Sequence, residues 1–499
     1  MAKRTWCEPK EQVDFHLENG FSATAGFDGG DISGFGGAVL LSLIDDVHRL
    51  TQTAASCIKD RRDPSRITHT MPQLLRQSVL LTGLGYPDGI DWTHFDADPV
   101  LRMCLGWEPD GDQTAASQAS CSRFKTNRTK RDLLRLLSSN IRFYIEKHEK
   151  PPKQIDLDFD GSSVEAHGRQ QFIAFNGHYE VNMYLPLFVR DQHNYLLASI
   201  LRPGNVVDSE MALAVLKLLV KRFRRAWPKV KILVRGDAAF HDPEIMDWCE
   251  ENDVEYVLGL KGDNALNVGS KQFDQEAEHV FRKLYGNPWF AGPNGAKDKS
   301  AVLREVSAQP KIDRRAAYAI LDERNIRRTG KFQHRAGEGG NDKKRLERRW
   351  KRERTAVSVA RVTDRGLKRR YVVVSKGLSA YTPDFIYDEI YSLRGKAELT
   401  IRSLKALGAH RLNNQEALTN QFQLIIYQMT HNLFQLLIDA LPKSLGHLAV
   451  ETIIREIIRI PVQVKVSTRR IWFRWTSSYK YKDLVLKLFK RLDNLPRAA

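Results

Sequence analysis

The sequence predicts an α/β core preceded by a helical region, interrupted by a β-rich insertion and followed by a small C-terminal extension. Three observations carry that expectation. Helical spacing dominates the first 150 residues, strict alternation begins at Ile155 once Pro151-Pro152 has broken the helices, and turn-rich, strand-like runs separate about residues 265 and 378 from the helices that follow. The expected boundaries are 1–150, 151–264, 265–378, 379–441 and 442–499, which fits a 499-residue chain at roughly 150 residues per domain.

The first region shows apolar residues at three- and four-residue spacing through Val39 to Ile44 and Leu74 to Leu80, separated by turns such as Tyr86-Pro87-Asp88-Gly89. A helix pair follows over about Ala115 to Ile145. Its first half ends in Arg123-Phe124-Lys125 and reads either as a helix offered to DNA through Arg123 and Lys125 or as a solvated surface helix. In the core, Ile155 to Asp160 alternates as a strand, and Tyr179 to Val189 and Tyr195 to Leu201 give two more. An amphipathic helix from about Ser209 to Arg225, with Asp208 as a candidate N-cap, leads to a fourth strand, Lys231 to Arg235, closed by Gly236-Asp237. Asp242-Pro243-Glu244 opens another helix, and Val254 to Leu260 is the fifth strand.

In the insertion, Ala301 to Val306, Ala356 to Ala360 and Tyr371 to Val374 read as strands between Gly/Asn/Pro turns. Asn341 to Arg354 carries eight Lys/Arg against three Asp/Glu; Arg348, Arg349, Lys351 and Arg352 are its candidate DNA contacts, the alternative being a solvated charge run. Helices resume from about Asp384 to Leu441. The last stretch adds a helix (Glu451 to Ile460), a basic-apolar strand (Val462 to Val466) and a basic helix.

Composition narrows the partners. With Lys+Arg 78 against Asp+Glu 60, the net charge is +18, which favours a polyanion. No run approaches the roughly 18 apolar residues of a membrane span, and the opening residues have no apolar secretory core. The five cysteines are scattered without a CxxC pair, so a reducing, cytoplasmic setting is expected and neither a zinc site nor a disulfide framework.

The sharpest local feature is the run from Tyr391 to Lys405. On a regular α-helix Tyr391, Arg394, Arg402 and Lys405 fall within about 40° of Glu398, with Leu393, Ala397, Leu404 and Leu407 on the adjoining face. Ion pairing at i,i+4 explains Arg394, Glu398 and Arg402; it leaves Tyr391 and Lys405 unexplained. Phosphoryl transfer on DNA explains all five. Three acids from separate elements can hold two Mg²⁺ or Mn²⁺ ions, while cations and a hydroxyl grip the phosphate. Asp237 is one such acid. The first strand offers Asp156, Asp158 and Asp160 on one face, with Asp160 at the strand end and Asp158 its competitor.

These residues resemble the bacterial DDE transposases of insertion sequences. Tyr391, Arg394, Glu398 and Lys405 match the Y-x2-R-x3-E-x6-K signature of the insertion sequence 4-like superfamily. Stretches such as Lys59 to Pro64, Leu157 to Asp160, Phe175 to Tyr179, Leu201 to Gly204, Arg235 to Asp237 and Tyr256 to Gly259 resemble the insertion sequence 1380 family. One departure is Arg402, where relatives often carry Lys. The resemblance implies an RNase H-like catalytic core interrupted by the β-rich insertion, and a metal triad of Asp160, Asp237 and Glu398. It also implies cut-and-paste cleavage at terminal inverted repeats with strand transfer into target DNA, a homodimer on double-stranded DNA, and a place in the bacterial cytoplasm at the nucleoid. His167 recurs in the family and reads as structural; Trp289 reads as a core residue before a base-stacking one. Two other readings compete: an RNase H-fold nuclease without strand transfer, and a domesticated DNA-binding protein that has lost the reaction.

Overall fold

The computed structural model describes residues 12–18, 21–26, 30–207, 209–287, 304, 308, 324–335, 350–446 and 448–494. The expected N-terminal helices are present as α1 (Ala38–His48), α2 (Met71–Gly83), α3 (Gln118–Thr126) and α4 (Lys130–Glu146). The starts of α2, α3 and α4 follow from side-chain caps. Thr70 and Gln73 form a reciprocal box at α2, Ser117 caps α3, and Thr129 and Asp132 form a second box at α4.

Alternation in the first core strand, β1 (Gln154–Gly161), buries Ile155, Leu157 and Phe159 on one face. The return strands are β2 (Leu187–Arg190) and β3 (Leu196–Ile200). The single strand expected over Tyr179 to Val189 is two, because Pro186 has no N–H for a ladder. Residues Val181–Tyr184 join a separate three-stranded sheet with Val164–Glu165 and Ala174–Asn176. Next come α5 (Ala212–Ala226), β4 (Lys231–Gly236), α6 (Pro243–Glu251) and β5 (Glu255–Leu260). Helix α5 starts three residues later than expected, and Asp208 lies outside the described residues. At α6 the signal holds: Asp242 accepts from the Glu244 N–H at 2.9 Å and Pro243 occupies the first turn.

The turn-and-strand expectation fails after Leu260. Residues Asn264–Tyr285 form a 22-residue helix, α7, capped by Asp263. Of the expected strand at Ala301 to Val306 only Arg304 is among the described residues, and it is helical; Trp289 lies outside them. Three long strands follow, β6 (Asn325–His334), β7 (Arg354–Thr363) and β8 (Gly366–Val374). They extend the core sheet, with β8 running antiparallel to β5. The whole sheet has the order β6-β7-β8-β5-β4-β1-β2-β3. Strands β1, β4 and β5 are parallel, and β2 and β3 are antiparallel additions to β1.

The chain then loosens into π-helical turns (Phe385–Tyr391) and a 3₁₀ segment (Ser392–Lys396) before α8 (Ala397–Ala406) and the long α9 (Ala417–Ala440). Helix α9 is buried on nearly all sides, between α1, α2, α4 and β3. Its amides take the free edge of β3: Asn432 accepts from the Leu196 N–H at 2.9 Å, Gln421 accepts from the Leu201 N–H at 2.7 Å, and Gln428 donates to the Leu196 carbonyl at 3.1 Å. An edge strand that would otherwise pair with another chain is thereby closed. At the C-terminus Val462–Ser467 and Arg470–Trp475 form a hairpin that also pairs with Ile32–Ser33. The helix expected over Glu451 to Ile460 is a short α turn followed by π turns.

Candidate active site

Strands β1 and β4 run parallel with Phe159 opposite Gly236, so Asp160 and Asp237 emerge side by side at one end of the sheet. Asp160 accepts from the Gly161 N–H at 2.9 Å. Asp237 accepts from the Ala239 N–H at 2.9 Å, which caps a 3₁₀ turn over Ala238–Phe240 and fixes its carboxylate at the strand end. Burial pushes the Asp160 carboxyl up to about 6; Asp237 adds to the rise, while Arg394, the Gly161 N–H and Arg190 oppose it.

Asp158, two residues earlier on the same face, has a different fate. It is fully buried and ion-paired to Arg190 at 2.5 Å and to Arg235 at 2.6 Å. Arg235 also reaches Asp156 at 3.2 Å. The same two arginines grip the segment above: Arg235 donates to the Ile390 carbonyl at 3.1 Å and Arg190 to the Arg394 carbonyl at 3.3 Å. Those carbonyls belong to the π and 3₁₀ turns, where regular i→i−4 bonds are missing. Ile386, Tyr387 and Ile390 anchor the segment on Val257, Val357, Val372 and Val374.

This segmentation corrects the stripe expected on one α-helix. Five residues of 3₁₀ helix advance by about 600°, where an α-helix would advance by about 500°, so Tyr391 and Glu398 fall about a quarter turn out of line. Tyr391 and Arg394 do meet the acids. The Arg394 guanidinium lies 5.6 Å from the Tyr391 ring centre. Burial raises the Tyr391 pKa, Arg394 lowers it and Asp237 raises it. Gly259 on β5 makes room for this. A Cβ there would sit 2.7 Å from the Ala238 nitrogen and 2.8 Å from the Tyr391 hydroxyl.

Glu398, Arg402 and Lys405 are exposed on α8, and Arg402 comes within 4.0 Å of Glu451. Ala397, Leu404 and Leu407 pack inward as expected, whereas Leu393 is 40% exposed because it lies on the 3₁₀ segment. Two adjacent carboxylates that repel each other in a half-buried place suit a divalent cation bound through oxygen. Among the described residues, however, no three His, Cys, Asp or Glu side chains come together closely enough to hold a metal ion. Asp160 and Asp237 therefore fit a metal as a pair, and Glu398 does not join them in this arrangement.

The other expected contacts divide. Arg123 is exposed and lines a cavity of about 1000 Å³ with Arg61, Arg62 and Arg66. Lys125 is not a surface contact. It is 8% exposed, and its ammonium donates to the Pro87 carbonyl at 3.3 Å, holding the neighbouring turn. Lys351 pairs with Asp247 at 3.0 Å and Arg352 with Glu250 at 3.0 Å, so part of the basic run neutralises α6. Arg348 and Arg349 lie outside the described residues. His167 is exposed, 3.9 Å from Glu165, in the loop that follows the Val164–Glu165 strand of the small sheet. Sequence reasoning missed Arg190 as a site residue; its one signal is an arginine ending the apolar strand Leu187–Arg190.

Residues 15–497 match the family described as the transposase DDE domain group 1. The chain belongs to this family. Membership makes it a transposase, an enzyme that cleaves DNA. Among solved structures, the transposase is similar to a piggyBac transposase in a cryo-EM synaptic complex with hairpin DNA. Identity is 11% over 93% of this chain and 86% of that one, with a TM-score of 0.36. No curated protein matches the sequence. Among the described residues of the transposase, no helix is long and apolar enough to cross a membrane.

Proposed function

We propose that this transposase moves its element by cutting at terminal inverted repeats and joining the freed ends to target DNA, with Asp160, Asp237 and Glu398 as the metal-holding acids. The observation that carries the proposal is the side-by-side exit of Asp160 and Asp237 from parallel strands, beside Arg394 and Tyr391. The β3-β2-β1-β4-β5 portion of the sheet, antiparallel then parallel, supports an RNase H-like core. Bound Mg²⁺ or Mn²⁺, as two ions, would supply the Lewis acidity that activates an attacking oxygen and stabilises the leaving one.

The chain's own groups have separate tasks. Asp160 and Asp237 hold the ions from the sheet; Glu398, in the first turn of α8, completes the donor set by turning toward them once DNA is bound. Arg394 neutralises charge on the scissile phosphate, and the Tyr391 hydroxyl, kept protonated by burial, donates to a phosphate oxygen. Arg402 and Lys405 take phosphates farther along the strand, with Arg402 leaving Glu451. The element ends are bound by a homodimer on double-stranded DNA through Arg123 and the basic insertion. Membership of the insertion sequence 1380 family and a bacterial, nucleoid-associated setting complete the reading.

The test is incubation of the protein with its own inverted-repeat DNA, Mg²⁺ and a target plasmid. Joined products are expected; nicks alone would make it a nuclease. Glu398→Gln should remove cleavage while leaving end binding intact. Normal cleavage by that variant would take Glu398 out of the triad.

A further inference from the structure

Helices α4 and α5 pack side by side with a groove of about 550 Å³ between them, and four arginines line it: Arg135 and Arg142 from α4, Arg222 and Arg225 from α5. The groove's lining contains no carboxylate. Arg142 approaches Glu146 at 3.7 Å, one turn away on its own helix. Arg135, Arg222 and Arg225 have no ion pair or hydrogen bond among the described residues. All four side chains are exposed.

The placement follows from amphipathicity. Helix α5 buries Val215, Leu216, Leu219, Val220 and Phe223, which turns Arg222 and Arg225 outward. On α4, Arg135 and Arg142 are seven residues apart, so they share a face at a spacing of about 10 Å. That distance spans about three phosphates of one DNA strand along the duplex axis. Four guanidinium groups facing one another without an acid repel, and a polyanion relieves that repulsion. Several basic residues elsewhere are compensated, which Arg135, Arg222 and Arg225 of the groove are not: Arg61 pairs with Asp132, Arg62 with Asp60, Lys351 with Asp247 and Arg352 with Glu250.

We propose that the α4–α5 groove binds the phosphate backbone of duplex DNA at a place separate from the cleaved phosphodiester. The inference rests on the reading of the chain as a DNA transposase. Helix α5 ends at Ala226, a four-residue link before β4 begins at Lys231, and Asp237 follows the far end of that strand. Six strand residues separate the two by roughly 20 Å, a little over half a helical turn of DNA. The groove therefore holds duplex toward the opposite end of β4 from the acids, and its Arg135, Arg142, Arg222 and Arg225 fix the path of that DNA.

The test uses the full chain, a fluorescent duplex of about 40 base pairs of arbitrary sequence, and anisotropy titrations across salt concentrations. The variant Arg135→Ala/Arg222→Ala/Arg225→Ala should bind at least about tenfold more weakly at low salt. Its log–log salt slope should be shallower by roughly 2 to 3, at about 0.9 per lost phosphate contact. The matching triple Arg→Lys variant should keep the wild-type slope, because lysine also neutralises phosphate. In wild type, duplex DNA should slow alkylation of Cys57, the half-buried thiol lining the same groove, as read on its own peptide by mass spectrometry. An unchanged salt slope in the alanine variant, or Cys57 labelling indifferent to DNA, overturns the proposal. Asp237→Asn separates the two readings. If it abolishes end cleavage while the alanine triple keeps its full salt slope, the groove alone is wrong. If it cleaves normally while the triple loses slope, the catalytic assignment alone is wrong.

Discussion

Two regions of the same pair of strands carry charge in opposite ways. In the middle of β1 and β4, Asp156 and Asp158 are matched by Arg190 and Arg235, and further donors of those arginines reach the backbone carbonyls of Ile390 and Arg394. Two residues further on, Asp160 and Asp237 leave the strands side by side, with Arg394 as the main opposing charge at Asp160. The residue types and the strand face are the same. What differs is whether the surrounding elements supply opposite charge in direct contact with each carboxylate. The matched layer is scaffolding; the mismatched one is where the metal ions are proposed to bind.

That comparison predicts different failures. The largest effect belongs to the strand end. Asp160→Asn and Asp237→Asn should each slow single-turnover end cleavage by roughly a thousandfold or more, at about 1.4 kcal/mol per tenfold. Neither should lower the unfolding temperature, and Mg²⁺ should raise that temperature in wild type but not in these variants. A destabilised Asp160→Asn with near-normal cleavage would erase the contrast.

Asp158→Asn comes next. It leaves two buried guanidinium groups short of a carboxylate, a change that costs about 3–5 kcal/mol when a buried ion pair is broken. The loss should appear in denaturant or thermal unfolding and in soluble yield, with metal binding at the strand end less affected than folding.

A pH effect of about 3 kcal/mol sharpens the scaffold side. His431 on α9 is buried, its pKa is lowered to about 4 mainly by burial, and Arg190 pushes in the same direction. The folded protein then binds fewer protons than the unfolded chain between pH 6.5 and about 4. Stability attributable to His431 is present above 6.5 and is lost as pH falls through that window. His431→Gln should flatten the slope of unfolding temperature against pH there; an unchanged slope would remove His431 from the scaffold's account.

The smallest effect is at the surface. Lys351→Ala removes a pair with Asp247 whose lysine is 78% exposed, so less than about 1 kcal/mol of stability should be lost. A larger loss would mean that exposed pairs in this protein act like the buried layer.

Much of the core was legible in the residues because local physics decided it. Alternation fixed β1, the Asp242-Pro243-Glu244 cap fixed the start of α6, and the strand ends at Asp160 and Asp237 followed. Distant partners decided the rest. Residues 264–285 bury only a thin stripe, Leu266, Ser270, Asp274, Ala277 and Phe281, so their helical period was weak until β6 and β7 gave that stripe a surface. The π and 3₁₀ turns around Tyr391 are held by Arg190 and Arg235, more than 150 residues earlier in the chain, as the separations of 204 and 155 residues record. Charge runs were the least legible. Lys125 and Arg123 are two residues apart, and only the turn at Pro87 decides which one is drawn inward.

The amide clasp of α9 on β3 has a consequence for birth on the ribosome. Leu196 receives its edge partner, Asn432, from 236 residues downstream. At roughly 5–20 residues per second, the open margin of the sheet waits about ten to fifty seconds during translation before its cover has even been made. Over that interval the nascent chain is at its most adhesive, and a pause in elongation between those two positions should favour aggregates over soluble product.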